Sequence, residues 1–284
     1  MPTLDLGPAY GLPAPAAGRL DRACIRKPFQ VRLERSSEQR RLRFAGEPCL
    51  AGQRGVNLGR EFQVQFAGPW AAGGCELIIA ITMTGPTREF WEQRFAAGNT
   101  PWDRGKANPQ LDAWLAARLL KPCRILVPGC GSGYEVAALT RAGFEVTGLD
   151  YAEEAIARTR QQLDAAGAKA TLVQADALAW QPERPFDAAY EQTCLCALYP
   201  DQWRDYADQL HRWLAPGGRL FALFVQLLRP VAAEGAIEGP PYHCDINAMR
   251  ALFPEPRWRW PKPPYPRTTH PRGLAELAVV LERQ

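Results

Sequence analysis

The chain has 284 residues, 46% of them hydrophobic, and a formal net charge of +4 at pH 7, which suffices for one α/β domain plus an extension and for a sizeable core. No apolar run approaches the ~18 residues of a membrane span, and the whole charge excess falls within residues 1–82, so the remainder is neutral and carries no nucleic-acid footprint. Eight cysteines without C-x-x-C spacing read as reduced thiols of a soluble, cytoplasmic protein, and the lone C-x-C pair, Cys194 and Cys196, is too sparse for a metal site.

Residues 1–82 are rich in Pro, Gly, Ala and Arg, with loop signals at Leu12-Pro13-Ala14-Pro15 and Ala71-Ala72-Gly73-Gly74. Gln30 to Leu33 and Leu77 to Ile81 have strand patterns. The segment lacks the basic start and apolar stretch of a secretory signal. It reads as a weakly ordered extension, with an over-extended reading frame starting at Met83 as the other reading.

From Pro86 onward the patterns sharpen. Thr87 is a candidate N-cap for a helix from Arg88 to Ala97, with Phe90, Trp91, Arg94 and Phe95 on one face. Gly98-Asn99 ends it. The loop Thr100 to Lys106 leads to a helix from Pro109 to Leu120. Trp91, Phe95 and Trp102 gather around that loop, either as core or as an aromatic cover for a cationic ligand, since a sulfonium attracts aromatic faces as an ammonium does.

Arg124 to Asp150 reads as strand, glycine loop, helix, strand and acid, the first βαβ unit of a nucleotide-binding sheet. Ile125-Leu126-Val127 is a short buried strand. Gly129, Gly131 and Gly133 follow at every second position, and a helix starts at Tyr134. Asp150 closes the second strand, where a carboxylate can accept from both hydroxyls of a ribose. The dinucleotide fingerprint is G-x-G-x-x-G; here the spacing is G-x-G-x-G, with Tyr at 134. S-adenosylmethionine has no phosphate to cradle, so the loop favours it over NAD.

The alternation continues as in a doubly wound sheet. A helix from Ala152 to Ala166 precedes a strand from Ala170 to Gln174. Asp176 then stands beside Ala177, either facing an adenine amino group or capping a turn. Phe186 to Gln192 is the fourth strand, Asp201 to Leu214 a helix, and Arg219 to Gln226 the fifth strand. Gly129 to Gly133, Asp150, Asp176 and Glu191 therefore mark the carboxyl ends of four strands, the edge at which such sheets bind ligands. Gly239-Pro240-Pro241-Tyr242 forms a stiff turn before a helix from Ile246 to Leu252. Leu274 to Leu281 is a last apolar strand, expected near the sheet edge. His211, His243 and His270 fall in no ligand or triad pattern.

Seven segments, in order, resemble the thiopurine S-methyltransferase family, and more closely its thiol, thiocyanate and halide branch. They are FWEQRFAAGNTPWDRGK at 90–106, LVPGCGSG at 126–133, FEVTGLD at 144–150, QADAL at 174–178, FDAAYEQTCLCAL at 186–198, LAPGGRL at 214–220 and GPPY at 239–242. The resemblance covers about seven-tenths of the chain, from 87 to 284. It implies a Rossmann-like class I sheet of seven strands, six parallel and one antiparallel, with helices on both faces, and S-adenosyl-L-methionine as cofactor. It also implies roles. Trp91, Phe95 and Trp102 cover the methionine part, and Gly129, Cys130 and Gly131 form the loop beside its tail. Asp150 takes the ribose, Asp176 with Ala177 the adenine, and Glu191 with Gln192 the methionine amino group or the substrate. Tyr242 lies near the acceptor and is the one catalytic candidate. Gln192 stands where some thiopurine enzymes carry Arg, which weakens a thiopurine-type contact.

The expected function is methyl transfer to a small soft nucleophile, by positioning in a dry pocket rather than by a strong general base. A thiopurine acceptor, an S-adenosylmethionine-binding protein without turnover and an NAD-dependent oxidoreductase are the alternatives. The expected partner is a small-molecule acceptor, with no nucleic acid, no membrane and a monomeric chain.

Overall fold

The computed structural model describes residues 85–230, 237–269 and 273–284, together with the backbone of short strands before residue 81. It separates into two units, Met1–Gly85 and Pro86–Gln284. In the first, Gln30–Arg35, Arg40–Ala45 and Ile79–Ala80 form a three-stranded antiparallel sheet, and Gly55–Asn57 pairs with Gln63–Gln65. The expected strand at Gln30 to Leu33 lies within the first of these, and that at Leu77 to Ile81 is described only over Ile79–Ala80. The expectations of weak order and of a start at Met83 lie outside the described residues.

The second unit begins with helices α1 (Arg88–Ala96) and α2 (Pro109–Ala116), each started as its sequence dictates. The Thr87 hydroxyl accepts from the N–H of Phe90, and the Asn108 side chain accepts from that of Gln110, with Pro109 in the first turn, so orphan donors are satisfied at both starts. The sheet then alternates β1 (Arg124–Pro128), α3 (Tyr134–Arg141), β2 (Glu145–Asp150), α4 (Glu153–Ala165), β3 (Thr171–Gln174) and β4 (Phe186–Gln192). A short helix α5 (Cys194–Ala197), a helix α6 (Trp203–Trp213) and β5 (Leu214–Gln226) follow. After α7 (Ile246–Leu252) come β6 (Trp258–Arg259), β7 (Arg267–Thr269) and β8 (Ala275–Arg283).

The strand order is β6-β8-β5-β4-β1-β2-β3, with β7 also on β8. β1 to β5 are mutually parallel and β8 is antiparallel to β5. The strand alternation of the pleat explains how one run serves two cores. Leu126 joins Phe186, Leu210, Trp213 and Phe253 on one face, while Ile125 and Val127 join Trp114, Val136, Leu139 and Phe221 on the other. Among the described residues no helix is long and apolar enough to cross a membrane.

Three features depart from expectation. β8 is an interior strand, paired to β5 over eight residues and flanked outside by β6 and β7, not an edge strand. The sixth strand of the sheet is split into β6 and β7, because the intervening Pro261-Lys262-Pro263-Pro264-Tyr265-Pro266 lacks the backbone N–H groups a ladder needs. β5 already begins at Leu214, before the expected Arg219, and the register shifts between those two residues; Pro216 and Gly217 sit in that irregularity, where strands tolerate them.

Candidate active site

The glycine loop between β1 and α3 turns sharply, with φ of 59° at Gly129, 54° at Gly131 and 80° at Gly133. At Gly133 a Cβ would lie 2.6 Å from Thr159 Cα, and at Gly129 one would lie 2.9 Å from Cys194 Cβ. Only glycine fits either position, because both the left-handed conformation and the close approach exclude a side chain. The loop is fixed to β2 by Asp150: Oδ2 accepts from the Gly131 N–H and Oδ1 from the Ala152 N–H, each at 3.0 Å. Burial pushes the Asp150 carboxyl up to about 6, against the pull of the Ala152, Gly131 and Tyr151 amides. A carboxylate offers about four acceptor sites, and these two amide bonds leave room for further donors.

An aromatic group stands over the loop. Trp91 and Trp102 meet edge to face at 5.4 Å, and Phe95 and Trp102 do so at 5.6 Å, a geometry favoured by the ring quadrupoles. Trp91, Trp102 and Tyr151 pack on buried Phe95, Ala152 and Ala155. Polar contacts hold α1 in place. Glu92 accepts from the N–H groups of Glu153 at 2.7 Å and Glu154 at 3.3 Å, so a carboxylate from another helix caps the start of α4, where the helix dipole favours it. The Arg158 guanidinium donates to the Phe95 carbonyl.

These groups enclose a cavity of about 260 Å³ at the carboxyl edge of the sheet. Toward β5 and β8 its wall carries a buried polar chain. Arg104 donates to Glu276 Oε2 at 3.0 Å and to the Thr269 carbonyl at 3.2 Å. Glu276 also accepts from Asn108 Nδ2 (2.9 Å), Thr268 Oγ1 (3.1 Å) and Gln192 Nε2 (3.3 Å). The Tyr190 hydroxyl donates to Gln192 Oε1 at 2.8 Å. Glu135 accepts from the Asn108 N–H at 2.9 Å, and burial pushes its carboxyl up to about 7.

Ten expected residues line this cavity: Trp91, Phe95, Trp102, Gly129, Cys130, Gly131, Asp150, Asp176, Ala177 and Gln192. Asp176 also caps a turn by accepting from the Leu178 N–H at 2.8 Å. Glu191 and Tyr242 are not lining residues. Glu191 is buried and accepts from the Leu195 N–H at 2.7 Å, at the start of α5. Tyr242 is buried, gives its own N–H to the Cys196 carbonyl at 2.7 Å and meets Tyr199 edge to face. It is Pro240 and Pro241, beside Tyr242, that line the wall. His211 and His243 are also absent from the wall, and His270 lies outside the described residues.

Sequence reasoning missed Arg104, Glu135, Thr193 and Glu276, all of which line the cavity. Arg104, whose side chain is 6% exposed, puts a guanidinium paired with Glu276 on the cavity wall. The signal was present in Trp102-Asp103-Arg104, yet its partner Glu276 lies 172 positions away. Thr193, a β-branched residue with φ of 68°, stands at the end of β4 in a conformation rare for its type.

Residues 86–262 match the sequence profile of the family described as thiopurine S-methyltransferase. The chain is similar to a probable thiol methyltransferase 2 of Arabidopsis thaliana, 33% identical over 165 residues that cover 57% of this chain and 70% of that one. It is similar to a thiopurine S-methyltransferase of Legionella pneumophila, 29% identical over 170 residues that cover 54% and 74% respectively. Among solved structures it resembles the 1,6-didemethyltoxoflavin-N1-methyltransferase of Burkholderia thailandensis with bound S-adenosylhomocysteine. The TM-score is 0.57 at 18% identity, over 82% of this chain and all of that one, a likeness of fold.

Proposed function

The chain belongs to the thiopurine S-methyltransferase family, and from that premise we propose that it moves a methyl group to a small soft nucleophile: a thiol, thiocyanate, a halide or a related sulfur or selenium compound. It is an S-adenosylmethionine-dependent methyltransferase. The observation that carries the acceptor reading is the cavity itself, whose lining joins the glycine loop, Asp150 and the aromatic group to Cys196, Ala197, Leu198, Val225, Pro240 and Pro241.

The residues fit the cofactor. A cradle in which Cβ atoms would clash lies beside a carboxylate with acceptor capacity to spare. Asp150 would hold the ribose hydroxyls, Asp176 with Ala177 the adenine, and Gly129, Cys130 and Gly131 the methionine tail. Trp91, Phe95 and Trp102 would face the sulfonium, whose positive charge their ring faces attract. When bound, S-adenosylmethionine supplies an already activated methyl group.

The protein's own task is then positioning. Holding two reactants in near-attack geometry can supply about 7–11 kcal/mol of a barrier. Where the wall is apolar it would exclude water from the acceptor, which would strengthen the acceptor's contacts with fixed dipoles. Thiocyanate or a halide needs no base, and an ordinary thiol, with a pKa of about 8.5, ionises sufficiently in solvent. Gln192 has no outward guanidinium to offer a thiopurine, and both ends of its amide are engaged, with Tyr190 and Glu276. Glu191 shapes the site by fixing α5, and Tyr242 by supporting the turn at Pro240 and Pro241. In the cell we place the protein in the cytoplasm as a monomer.

A methyl-transfer assay across small thiols, thiocyanate, iodide, selenite and thiopurines tests this reading. Small thiols or anions should be turned over at least tenfold faster than any thiopurine. A thiopurine preference would replace the acceptor class, and cofactor binding without turnover of any of them would leave only a binding protein.

A further inference from the structure

Among the described residues five carboxylates line the cavity: Asp103, Glu135, Asp150, Asp176 and Glu276. Under the proposed function Asp150 and Asp176 are committed to the ribose and the adenine. Glu276 already accepts from Arg104, Asn108, Thr268 and Gln192. Glu135 accepts from the Asn108 amide, and burial pushes its carboxyl up to about 7, so it carries no full charge at neutral pH. Asp103 differs from these. Its Oδ2 accepts from the Ser132 hydroxyl at 2.7 Å, and its own N–H donates to the Thr100 carbonyl at 3.0 Å. Its Oδ1 has no donor among the described residues and is not one of the unpartnered atoms sealed in the interior. Nor does a cation among those residues pair with it. Arg104 is taken by Glu276 and the Thr269 carbonyl, and Arg94 and Lys106, also on the wall, form no ion pair with it. Ser132 belongs to the glycine loop and follows Gly131, whose amide is held by Asp150. Two carboxylates are thus tied to consecutive residues of one loop.

We propose that Asp103 anchors the α-ammonium group of S-adenosylmethionine, with Ser132 as the residue that positions its carboxylate. This inference rests on the cavity being the cofactor's site, as in the proposed function. The cofactor carries ribose hydroxyls at one end of a short chain and an ammonium beside a carboxylate at the other. Asp150 and Asp103, bound to neighbouring loop residues, offer acceptors for the two ends. Glu191, the acid expected to meet the ammonium, is buried off the wall with its Oε1 on the Leu195 amide. Gln192 has both ends of its amide engaged. An ammonium has three donors and no acceptor, and a charge-assisted bond to a carboxylate is about twice as strong as a neutral one. Asp103 offers that bond from an oxygen already fixed in place by its partner on Ser132, so little ordering remains to be done on binding. Its chain neighbour Trp102 belongs to the aromatic group that faces the sulfonium in the proposed function. One loop therefore serves both positive centres of the cofactor.

Titration calorimetry on the full chain with three ligands tests the proposal. They are S-adenosylhomocysteine, its deaminated analogue, which keeps the carboxylate and lacks the ammonium, and 5′-methylthioadenosine, which lacks both. None carries a sulfonium, so attraction to the aromatic rings does not enter. The wild type should bind S-adenosylhomocysteine at least tenfold more tightly than the deaminated analogue. Asp103→Asn keeps the side chain's shape and an oxygen for Ser132 but removes the charge. It should raise the dissociation constant of S-adenosylhomocysteine at least tenfold and leave those of the other two within twofold. Ser132→Ala leaves the carboxylate charged but unpositioned and should weaken S-adenosylhomocysteine about three- to fivefold, again with the other two within twofold. Binding of S-adenosylhomocysteine to Asp103→Asn as tight as to the wild type overturns the proposal and leaves the cofactor reading standing. Equal weakening of all three ligands also overturns it, because it would make Asp103 a support of the loop alone. Wild-type protein that binds none of the three overturns the cofactor reading itself, and the proposal with it.

Discussion

The Gly131 amide and Asp150 Oδ2 are joined by a 3.0 Å hydrogen bond, so the glycine loop is tied to the end of β2. The same carboxylate takes the Ala152 amide on its other oxygen and thereby starts the turn into α4. A single side chain therefore sets the loop's shape and faces the cavity. Under the proposed function, recognition of the cofactor's ribose and the stability of the loop would be coupled at this position.

Asp150→Asn tests that coupling. One oxygen becomes an NH₂ group, which cannot accept from either amide, so a backbone donor loses its partner at a cost of about 1–3 kcal/mol. Affinity for S-adenosylhomocysteine should fall at least tenfold and the melting temperature should drop by several degrees. Titration calorimetry and a thermal melt measure the two together. Unchanged affinity would remove Asp150 from cofactor binding.

The aromatic cover depends on Glu92. Removing its carboxylate uncaps α4 and frees α1, a loss of about 1 kcal/mol by analogy with other caps. Glu92→Ala should speed amide hydrogen exchange across residues 88–105 and weaken cofactor binding about three- to tenfold. Exchange in β1 and β4 should be unchanged. Protection of 88–105 equal to the wild type would show that Trp91, Phe95 and Trp102 are held by packing alone.

Glu191 makes stability depend on pH. Burial raises its carboxyl to about 7, opposed by the Leu195 and Cys194 amides, with Glu276 adding repulsion. The folded state thus binds this proton more tightly than the unfolded chain, whose glutamate titrates at about 4.3. Its stabilising contribution is full below that value and is lost as pH rises through about 7, on the order of 3 kcal/mol. The thiols of Cys194, Cys196 and Cys244 and the Tyr206 hydroxyl are all pushed up, so they stay neutral across this window. Glu135 adds a decline of the same sign. Glu191→Gln keeps an oxygen for the Leu195 amide, and its stability by denaturant titration should fall less between pH 5 and 8 than that of the wild type. An identical slope would refute the assignment.

The parts legible in the sequence are those built from neighbours in the chain. Gly129 to Gly133 and Asp150 belong to one βαβ unit, and their spacing carries their geometry. The aromatic residues of α1 and its following loop were legible as a group because they lie within a dozen positions. Arg104 with Glu276 was not legible, since antiparallel insertion of β8 beside β5 brings together residues far apart in the chain. The split of the sixth strand was hidden by its prolines. Glu191 and Gln192 illustrate the limit within a single strand. Adjacent side chains alternate across a sheet, so only Gln192 reaches the cavity while Glu191 turns toward α5.

The same distinction governs Tyr242. Its sequence neighbours Pro240 and Pro241 line the cavity, but its own ring packs beneath Gly239, where an added Cβ would lie 2.3 Å from Cδ1. Under the proposed function the ring would act on the acceptor wall through that contact. Tyr242→Phe keeps the ring and should retain turnover within about threefold, a barrier change below 1 kcal/mol. Gly239→Ala drives a methyl group into the ring and must displace the turn. Turnover should then fall at least tenfold, about 1.4 kcal/mol of barrier, through a higher acceptor KM, with cofactor affinity retained. The two variants discriminate between support and direct chemistry. A hundredfold loss of kcat in Tyr242→Phe, with Gly239→Ala nearly unaffected, would put the hydroxyl at the reacting atoms and the turn out of the mechanism.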